Sequence, residues 1–410
     1  MKKTALKTSS VLRQIFTGQR IKRYSTNCSS TSDEVTPTPL TAVVKRRPSK
    51  HKVVMLLGYC GSGYYGMQYN PPHKTIEGEI LTKLFDVGAI SEENSLAPKK
   101  NSFMAAARTD KGVHAMLNLL SLKITLREDT VAKLNAALPP EIRIRVRFSM
   151  VPIPYPRIYT HWSAPEFSFA SKRGGCYRED GSQEVWDTFL EQTRGRFSGD
   201  ELCRLQDTAQ KLSESDPLVQ DYVGLLSGTL SGYCLPPSKL DAFEAAMQEY
   251  VGTHNFHNFT TGKLWGDPSA QRHIKKVVVS QASTGWICVR IHGQSFMLHQ
   301  IRRMVALAVL AARCQLPPNI VRNYFNAGPR KYIPRAPAQG LLLEGPVFDG
   351  YNTKLRNLLY CEIRPDDITL ERMCRFRERQ IYTAIAHEET QRHVFCHFVR
   401  QMNRLATPLI

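Results

Sequence analysis

The chain has 410 residues, 42% of them hydrophobic, and carries 55 Lys and Arg against 36 Asp and Glu, a formal net charge of +19. This length favours two or three domains, and the basic excess favours a polyanionic partner, nucleic acid before an anionic membrane. Ten cysteines without a CxxC pair argue against a zinc ribbon or a disulfide framework, and no apolar run reaches the ~20 residues of a membrane span.

The first segment, residues 1–50, is basic and rich in hydroxyl side chains. Residues 1–32 contain seven Lys or Arg and no acid. This composition is typical of mitochondrial presequences and predicts the mitochondrial matrix as the location. The cluster KRRPSKHK at 45–52 leaves the nucleus as the alternative. We therefore expect residues 1–50 to be a disordered basic targeting segment and linker.

Residues 51–150 have the pattern of a unit with both strands and helices. The short apolar run at 53–57 predicts a strand that enters a glycine- and tyrosine-rich loop, without the GK[ST] of a P-loop. TIEGEILTKLFDVGAI then predicts an amphipathic helix capped by Thr75. LNLLSLKITL predicts a strand, DTVAKLNAALPP a helix, and the alternating IRIRVRF a half-buried strand with an arginine face.

The pattern changes twice in the rest of the chain. Residues 151–232 are broken by prolines and glycines, which indicates an irregular insert or divergent connection with one helix near 200–213. In residues 233–350, SKLDAFEAAMQEYVG predicts a helix, and IKKVVVSQA with GWICVRIHG predicts a hairpin. QSFMLHQIRRMVALAVLAARC predicts a second helix and AQGLLLEGPVF a last strand. Residues 351–410 are expected to form a helical C-terminal extension.

The stretches 51–150 and 233–350 share the order strand, helix, strand, strand. This repetition predicts an α+β fold of two similar halves. We expect their antiparallel sheets to join into one extended sheet, with helices on the outer face and a basic cleft between the halves.

Two motifs carry side chains suited to chemistry. ARTDKGVHA, residues 107–115, places the carboxylate of Asp110 in a charged turn that contains Gly112. QSFMLHQIRRMV places Arg302 and Arg303 side by side near the start of a helix. Adjacent helical residues lie about 100° apart, so one of the two arginines turns toward the packed side, where it needs a carboxylate partner.

A third motif, THNFHNF, contains His254 and His257 at a spacing that suits a metal. No carboxylate or thiolate lies near them in the sequence, so a loop with packed aromatic side chains is the better interpretation.

The motifs GYCGSGYYGMQ, ARTDKGVHA, THNFHNF, GQSFMLHQIRRMV and GLLLE, in this order, closely resemble the TruA family of tRNA pseudouridine synthases, in its eukaryotic nuclear and mitochondrial branch. The resemblance covers about residues 53–148 and 233–351. It implies an isomerase that converts uridine to pseudouridine without a metal or organic cofactor. The implied partner is tRNA in the basic cleft, with other structured RNA as a further substrate class and no membrane. The family resemblance leaves a monomer and a homodimer open.

The resemblance also assigns roles to residues. Asp110 matches the nucleophile that attacks the flipped-out uridine, at the base or at the ribose, and Arg302 matches the arginine that pairs with it. Such an opposed charge depresses a carboxylate pKa by about 1–3 units, which predicts an ionised Asp110 at neutral pH. Arg108 matches a residue that enters the RNA stack and helps to extrude the base. The other expected RNA contacts are Lys111, Gly112, His114 and Arg303.

The middle of the chain departs from the family pattern. Family members carry a Tyr-x-Tyr strand after the strand matched by IRIRVRF, and one of its tyrosines stacks on the target base. FSFASKRGGCYRE has no Tyr-x-Tyr, so Tyr177 is the substitute candidate and a strand is expected to be missing from the sheet. The alternative function is an RNA-binding or tRNA-chaperone protein that keeps the scaffold without turnover. A methyltransferase is disfavoured, because no suitable glycine-rich cofactor loop follows the first strand.

Overall fold

The computed structural model describes residues 50–145, 161–169, 182–206, 212–229, 235–281, 286–359 and 362–406. Its strands are β1 (Lys50–Tyr59), β2 (Met104–Ala105), β3 (His114–Thr125), β4 (Ile142–Arg145), β5 (His161–Phe169), β6 (Gly252–Asn255), β7 (Gln271–Gln281), β8 (Ile287–Gly293), β9 (Leu342–Leu343) and β10 (Gly345–Val347).

The helices among these residues are α1 (Ile76–Asp86), α2 (Glu92–Ser95), α3 (Thr130–Ala137), α4 (Ser182–Arg196), α5 (Gly199–Gln206), α6 (Pro217–Thr229), α7 (Pro237–Gln248), α8 (Gln300–Arg313), α9 (Asp349–Asn357), α10 (Asp367–Phe376), α11 (Thr383–Arg392) and α12 (Val394–Ala406). A π-helical turn, Arg377–Tyr382, connects α10 to α11. Short 3₁₀ turns lie at Pro98–Asn101, His257–Phe259, Pro268–Ala270 and Pro318–Tyr324. No helix in the described part of the chain is long and apolar enough to cross a membrane.

The first sheet, called here the N-terminal sheet, has the order β2-β3-β1-β4, with β9 parallel to β3 and the other pairs antiparallel. Both of its faces are covered, as the continuous apolar run of β1 requires. Met55 and Leu57 pack with the α1 side chain Ile80. Leu56 packs on the other face with Phe376 of α10. The C-terminal helices therefore complete the core of this sheet.

The second sheet, the C-terminal sheet, has the antiparallel order β10-β5-β8-β7-β6. Helices α7 and α8 pack with it in one apolar core that includes Met247, Ile291 and Met304. The buried hydroxyl of Tyr250 donates to the carbonyl of Met304 at 3.0 Å, which fixes the end of α7 against α8. The α+β class is thus confirmed, with helices packed against two mainly antiparallel sheets.

The region 151–232 is more regular than its composition indicates. Strand β5 lies between β8 and β10, so the expectation of a missing strand at this point of the chain is wrong. Its pairing with β8 shifts register between Ala164 and Phe167, on either side of Pro165. A proline has no N–H for the ladder and is tolerated at such an irregularity, which explains why the sequence pattern hid the strand. Helices α4, α5 and α6 fill much of the remaining segment.

Residues 342–347 contribute to both sheets. Leu342 and Leu343 pair with His114 and Ala115 of the N-terminal sheet. Two residues further on, β10 pairs with β5 of the C-terminal sheet. This short run places the start of β3, which directly follows the Asp110 loop, beside strand β5 of the C-terminal sheet.

Candidate active site

The loop that carries Asp110 is fixed from the glycine-rich segment before α1. The N–H of Gly112 donates to the carbonyl of Tyr64 at 3.2 Å, and the N–H of Met67 donates to the carbonyl of Thr109 at 3.1 Å. Gly66 has a φ of 88°, and a Cβ there would lie 2.7 Å from the Thr109 oxygen. Only glycine fits this position without strain. The two motifs therefore form one interlocked unit.

Side chains from β1 and β3 hold the same loop from within. The Tyr59 hydroxyl and Thr109 Oγ1 are 2.8 Å apart. The fully buried amide of Asn118 accepts from the N–H of Ala107 at 3.1 Å and donates to its carbonyl at 3.0 Å. Burial raises the pKa of Tyr59 to about 12, so its phenol is neutral at physiological pH. Asp110 thus projects from a backbone with little freedom to move.

The direct partner of Asp110 is His299, at the N-cap of α8. Its Nδ1 lies 2.8 Å from Asp110 Oδ2. Its Nε2 lies 3.1 Å from Nη1 of Arg335, a group that can only donate. Nε2 therefore accepts from Arg335, and Nδ1 carries the proton that is donated to Asp110. His299 has a φ of 62°, a left-handed conformation that aims the ring away from the helix.

Arg302 lies beside this pair without contacting the carboxylate. Its Nε donates to the carbonyl of Ala336 at 2.5 Å, and the Ala336 N–H donates back to the Arg302 carbonyl at 3.1 Å. Within the described ranges no ion pair joins Arg302 to Asp110 inside 4.0 Å, which corrects the expected direct pairing. Burial lowers the pKa of Arg302 to about 10 and the charge of Asp110 opposes that fall, so the guanidinium is cationic at neutral pH.

Arg303 turns into the protein. Its Nη1 donates to the carbonyls of Asn258 at 3.1 Å and Thr260 at 2.7 Å. Burial, together with the charges of Arg330 and Arg335, lowers its pKa. The guanidinium fastens the THNFHNF loop to α8, so the structure does not support the expected phosphate contact.

His114 is fully buried and cannot contact RNA, contrary to the prediction. Its Nδ1 accepts from the N–H of Gly61 at 3.0 Å, and its Nε2 donates to the carbonyl of Gln339 at 3.0 Å. Burial lowers its pKa to about 4, so the ring is neutral at physiological pH. The imidazole links the glycine-rich segment to the chain that leads into β9.

The remaining predicted RNA contacts differ in accessibility. Arg108 and Lys111 are exposed, and Gly112 has a φ of 76° in the turn between them and β3. The Lys111 ammonium lies 3.9 Å from the ring centroid of Tyr65. Tyr177 lies outside the described residues, so the structure says nothing about its position.

Of the two histidines of THNFHNF, His254 belongs to an aromatic cluster and His257 is buried in the same loop. The ring of His254 stacks on Phe325 at a centroid distance of 4.3 Å and an interplanar angle of 7°. The ring of His257 is buried and bonded through Nδ1 to Asn255 Oδ1 at 3.1 Å. The interpretation as a packed loop is confirmed.

One group of potential metal ligands lies in the C-terminal helices, outside the pocket lining. Ligand atoms of Glu389, His393 and Cys396 are all within 4.8 Å of one another. One carboxylate oxygen of Glu389 already accepts from the N–H of Phe395 at 2.8 Å, at the start of α12.

Asp110, His299 and Arg302 line a pocket of about 900 Å³ between the two motifs. Its walls come from Tyr65, Gln68–Asn70, Ala105–Lys111, Val113, Phe296–Arg302, Leu341 and Leu343. This volume is within the range of about 300–1,000 Å³ typical of ligand sites and accommodates a nucleotide. His299 and Arg335 were not among the expected site residues, although His299 stands inside a quoted motif, directly before the observed start of α8 at Gln300.

Comparisons with known proteins agree with these motifs. A family model described as tRNA pseudouridine synthase matches residues 246–349. The chain is 89% identical over 371 residues to the tRNA pseudouridine(27/28) synthase of Saccharomyces cerevisiae, covering 87% of this chain and 100% of that protein. It is 39% identical over 389 residues to tRNA pseudouridine synthase 1 of Candida glabrata, covering 85% and 70%. The match to tRNA pseudouridine synthase 1 of Eremothecium gossypii is 38% over 387 residues, covering 85% and 72%. The chain therefore belongs to the TruA family of tRNA pseudouridine synthases.

Proposed function

We propose that this protein isomerises uridines at positions 27 and 28 of tRNA to pseudouridine, with Asp110 as the nucleophile. The positions come from the name of the 89% identical synthase. The observation that supports the nucleophile is the carboxylate of Asp110, held by His299 at 2.8 Å on the wall of the 900 Å³ pocket. The alternative, an RNA-binding protein without turnover, is not favoured, because the chain is 89% identical to a synthase.

The contacts of Asp110 suit nucleophilic attack. His299 donates to Oδ2, which leaves Oδ1 as the oxygen available to the substrate. Attack at the ribose forms an ester at C1′ and breaks the bond from C1′ to N1 of uracil. The base then rotates, C5 bonds to C1′, and the carboxylate leaves. C5 loses a proton and N1 gains one, so the reaction has no net change in atoms. Attack at the base is the alternative first step.

The cation of Arg302 supports this chemistry through charge. It lies in a partly buried position, where the effective dielectric constant is lower and its field at Asp110 is stronger than in water. It favours the carboxylate before attack and after departure. Arg335 acts on the same group indirectly, since it fixes the tautomer of His299.

Several further features belong to this proposal. The exposed Arg108 and Lys111 are proposed to contact tRNA, and Arg108 to help extrude the target base. Tyr177 is the proposed stacking tyrosine. The two sheets are proposed to act as one extended sheet with a basic cleft that also accepts other structured RNA. The composition of residues 1–32 supports import into the mitochondrial matrix, with the nucleus as the alternative.

The test replaces Asp110 with Asn and with Ala. We expect loss of pseudouridine of at least about 1,000-fold with retained tRNA binding, because an amide is a poor nucleophile of almost the same shape. Pseudouridine is mapped by primer extension after carbodiimide treatment of tRNA. Asp86→Asn on α1 is the matched control, since Asp86 is an exposed carboxylate paired with Lys83 outside the pocket. Wild-type levels of pseudouridine in Asp110→Asn would refute the assignment.

A further inference from the structure

A second groove, outside the pocket of Asp110, is strongly basic. It has a volume of about 700 Å³ and lies between β4, the end of α3, and the helical run of α10 with its π-helical turn. Five of its lining residues are arginines, and Glu128 is the single carboxylate among the described lining residues. We call it the arginine groove, formed by Arg143, Arg145, Arg372, Arg375 and Arg379.

Local structure explains why these side chains converge. Strand β4 alternates, so Ile142 and Ile144 enter the core while Arg143 and Arg145 point to the other face. On the helical run, positions 372, 375 and 379 are three and four residues apart and share one stripe. The π-helical turn that carries Arg379 is a rare feature, found often at functional sites. The two arginine rows therefore face each other.

Few of these charges are neutralised. Arg375 pairs with Glu371 at 2.5 Å on the exposed helix surface. Arg143 donates from Nη1 to the carbonyls of Pro139 at 2.5 Å and Ile142 at 2.7 Å, which leaves its charge intact. In the part of the chain that the structure describes, Arg372 and Arg379 have no carboxylate within 4.0 Å.

Arg145 is the innermost member of the groove. Its guanidinium lies over the ring of Phe376, 5.5 Å from the centroid, and its buried Nε has no acceptor in the ranges that the structure describes. Burial, with the charges of Arg372 and Arg143, lowers its pKa to about 10. These cations repel one another in the absence of an anion. The electrostatic free energy of binding an anion among them is therefore more favourable than at an isolated surface arginine.

We propose that the arginine groove binds the phosphate backbone of the tRNA substrate at a distance from the target uridine. This inference rests on the proposed function, since it takes tRNA as the polyanion. Guanidinium groups bind phosphate oxygens in a planar two-point geometry, and several in a row follow a nucleic-acid backbone. Strand β4 is two strands away from β3 in the N-terminal sheet, about 10 Å across the sheet. The groove therefore contacts a different part of the RNA from the part that enters the pocket.

The test uses the full chain with Arg372→Gln and Arg379→Gln together, because these exposed arginines have no carboxylate partner among the described residues. The control is Arg196→Gln with Arg322→Gln, which removes the same charge from guanidiniums already paired with Asp221 and Glu249. Affinity is measured by fluorescence anisotropy against whole tRNA and against an isolated stem-loop that contains positions 27 and 28, over a series of salt concentrations.

We expect the groove variant to bind whole tRNA about tenfold more weakly, with the slope of log Kd against log salt lower by about 1–2. The loss for the stem-loop should be smaller than for whole tRNA. Equal weakening in the control variant, or equal loss for both RNAs, overturns the proposal. Thermal unfolding of both variants should match the wild type, since the replaced groups are exposed. Failure of Asp110→Asn to abolish activity would refute the nucleophile and leave this binding result unaffected.

Discussion

The Asp110 loop and the start of α8 carry similar cations and use them in opposite ways. In the loop, Arg108 and Lys111 are exposed, while main-chain bonds and the amide of Asn118 hold the backbone. At the start of α8, the guanidiniums of Arg302 and Arg303 themselves bond to carbonyls. A cation near an RNA site is therefore not in itself an RNA contact. For Arg303 the bonds to the carbonyls of Asn258 and Thr260 indicate a structural role, while Arg108 and Lys111 are exposed and available to RNA.

The largest expected effect is a difference in turnover between the Lys variants of Arg302 and Arg303. Arg302→Lys should lower turnover by about 100- to 1,000-fold, because an ammonium cannot keep the bond to Ala336 and a charge directed at Asp110 together. Arg303→Lys should lower the free energy of unfolding by about 1–2 kcal/mol through lost carbonyl bonds, with turnover within about threefold of wild type. Single-turnover kinetics and urea unfolding measure the two effects. Equal losses of turnover would contradict the division of roles.

The next effect is the pH dependence of stability that the buried His114 causes. Its pKa is lowered from 6.5 to about 4, so the unfolded chain takes up a proton at a higher pH than the folded protein does. The contribution of neutral His114 to the free energy of unfolding is therefore fully present above pH 6.5 and is lost as the pH drops toward 4. The loss is about 3 kcal/mol in all and about 2 kcal/mol between pH 7 and pH 5. His114→Gln removes this titration, and urea unfolding at both pH values should show a decrease smaller by about 2 kcal/mol. An unchanged decrease would exclude His114 as its source.

The smallest effect is expected at the loop surface. Lys111→Gln should weaken tRNA binding a few-fold and reduce the salt slope by about 1, because an exposed ammonium offers one phosphate contact. Turnover at saturating tRNA should change little. Anisotropy titrations at several salt concentrations check this, with Lys123→Gln on β3 as an exposed lysine outside the pocket. An unaltered salt slope would place Lys111 away from the RNA.

The fold could be predicted where local patterns carried the information. Strict alternation in IRIR gave β4 with buried Ile142 and Ile144, and the cap at Thr75 marked the start of α1. Strand β5 could not be predicted, because Pro165 and the register shift beside it interrupt the alternation. The covering of the N-terminal sheet on both faces did have a signal, the unbroken apolar run of β1. Which helices provide the cover depends on contacts that span some three hundred residues.

For the candidate site, the sequence pointed to residues that the structure places at one pocket, and it did not reveal their contacts. Asp110 and Arg302 were recognised through their motifs, and the structure brings both to one pocket. The direct contact of Asp110 with His299 depends on a left-handed φ that a sequence pattern does not reveal. The same limit applies to His114 and Arg303, whose charges or positions in motifs indicated RNA contacts. Their burial and their bonds to carbonyls are properties of the folded chain alone.

The run 342–347 has a consequence for how the enzyme meets its substrate. Because these few residues are hydrogen-bonded into both sheets, moving the two sheets apart would break strand pairing with at least one of them. The run therefore couples the two sheets and limits how far the pocket that contains Asp110 can widen. If Asp110 acts as proposed, the deformation that brings a stacked uridine to its carboxylate falls on the RNA, and we expect substrates whose stems open easily at the target to react fastest.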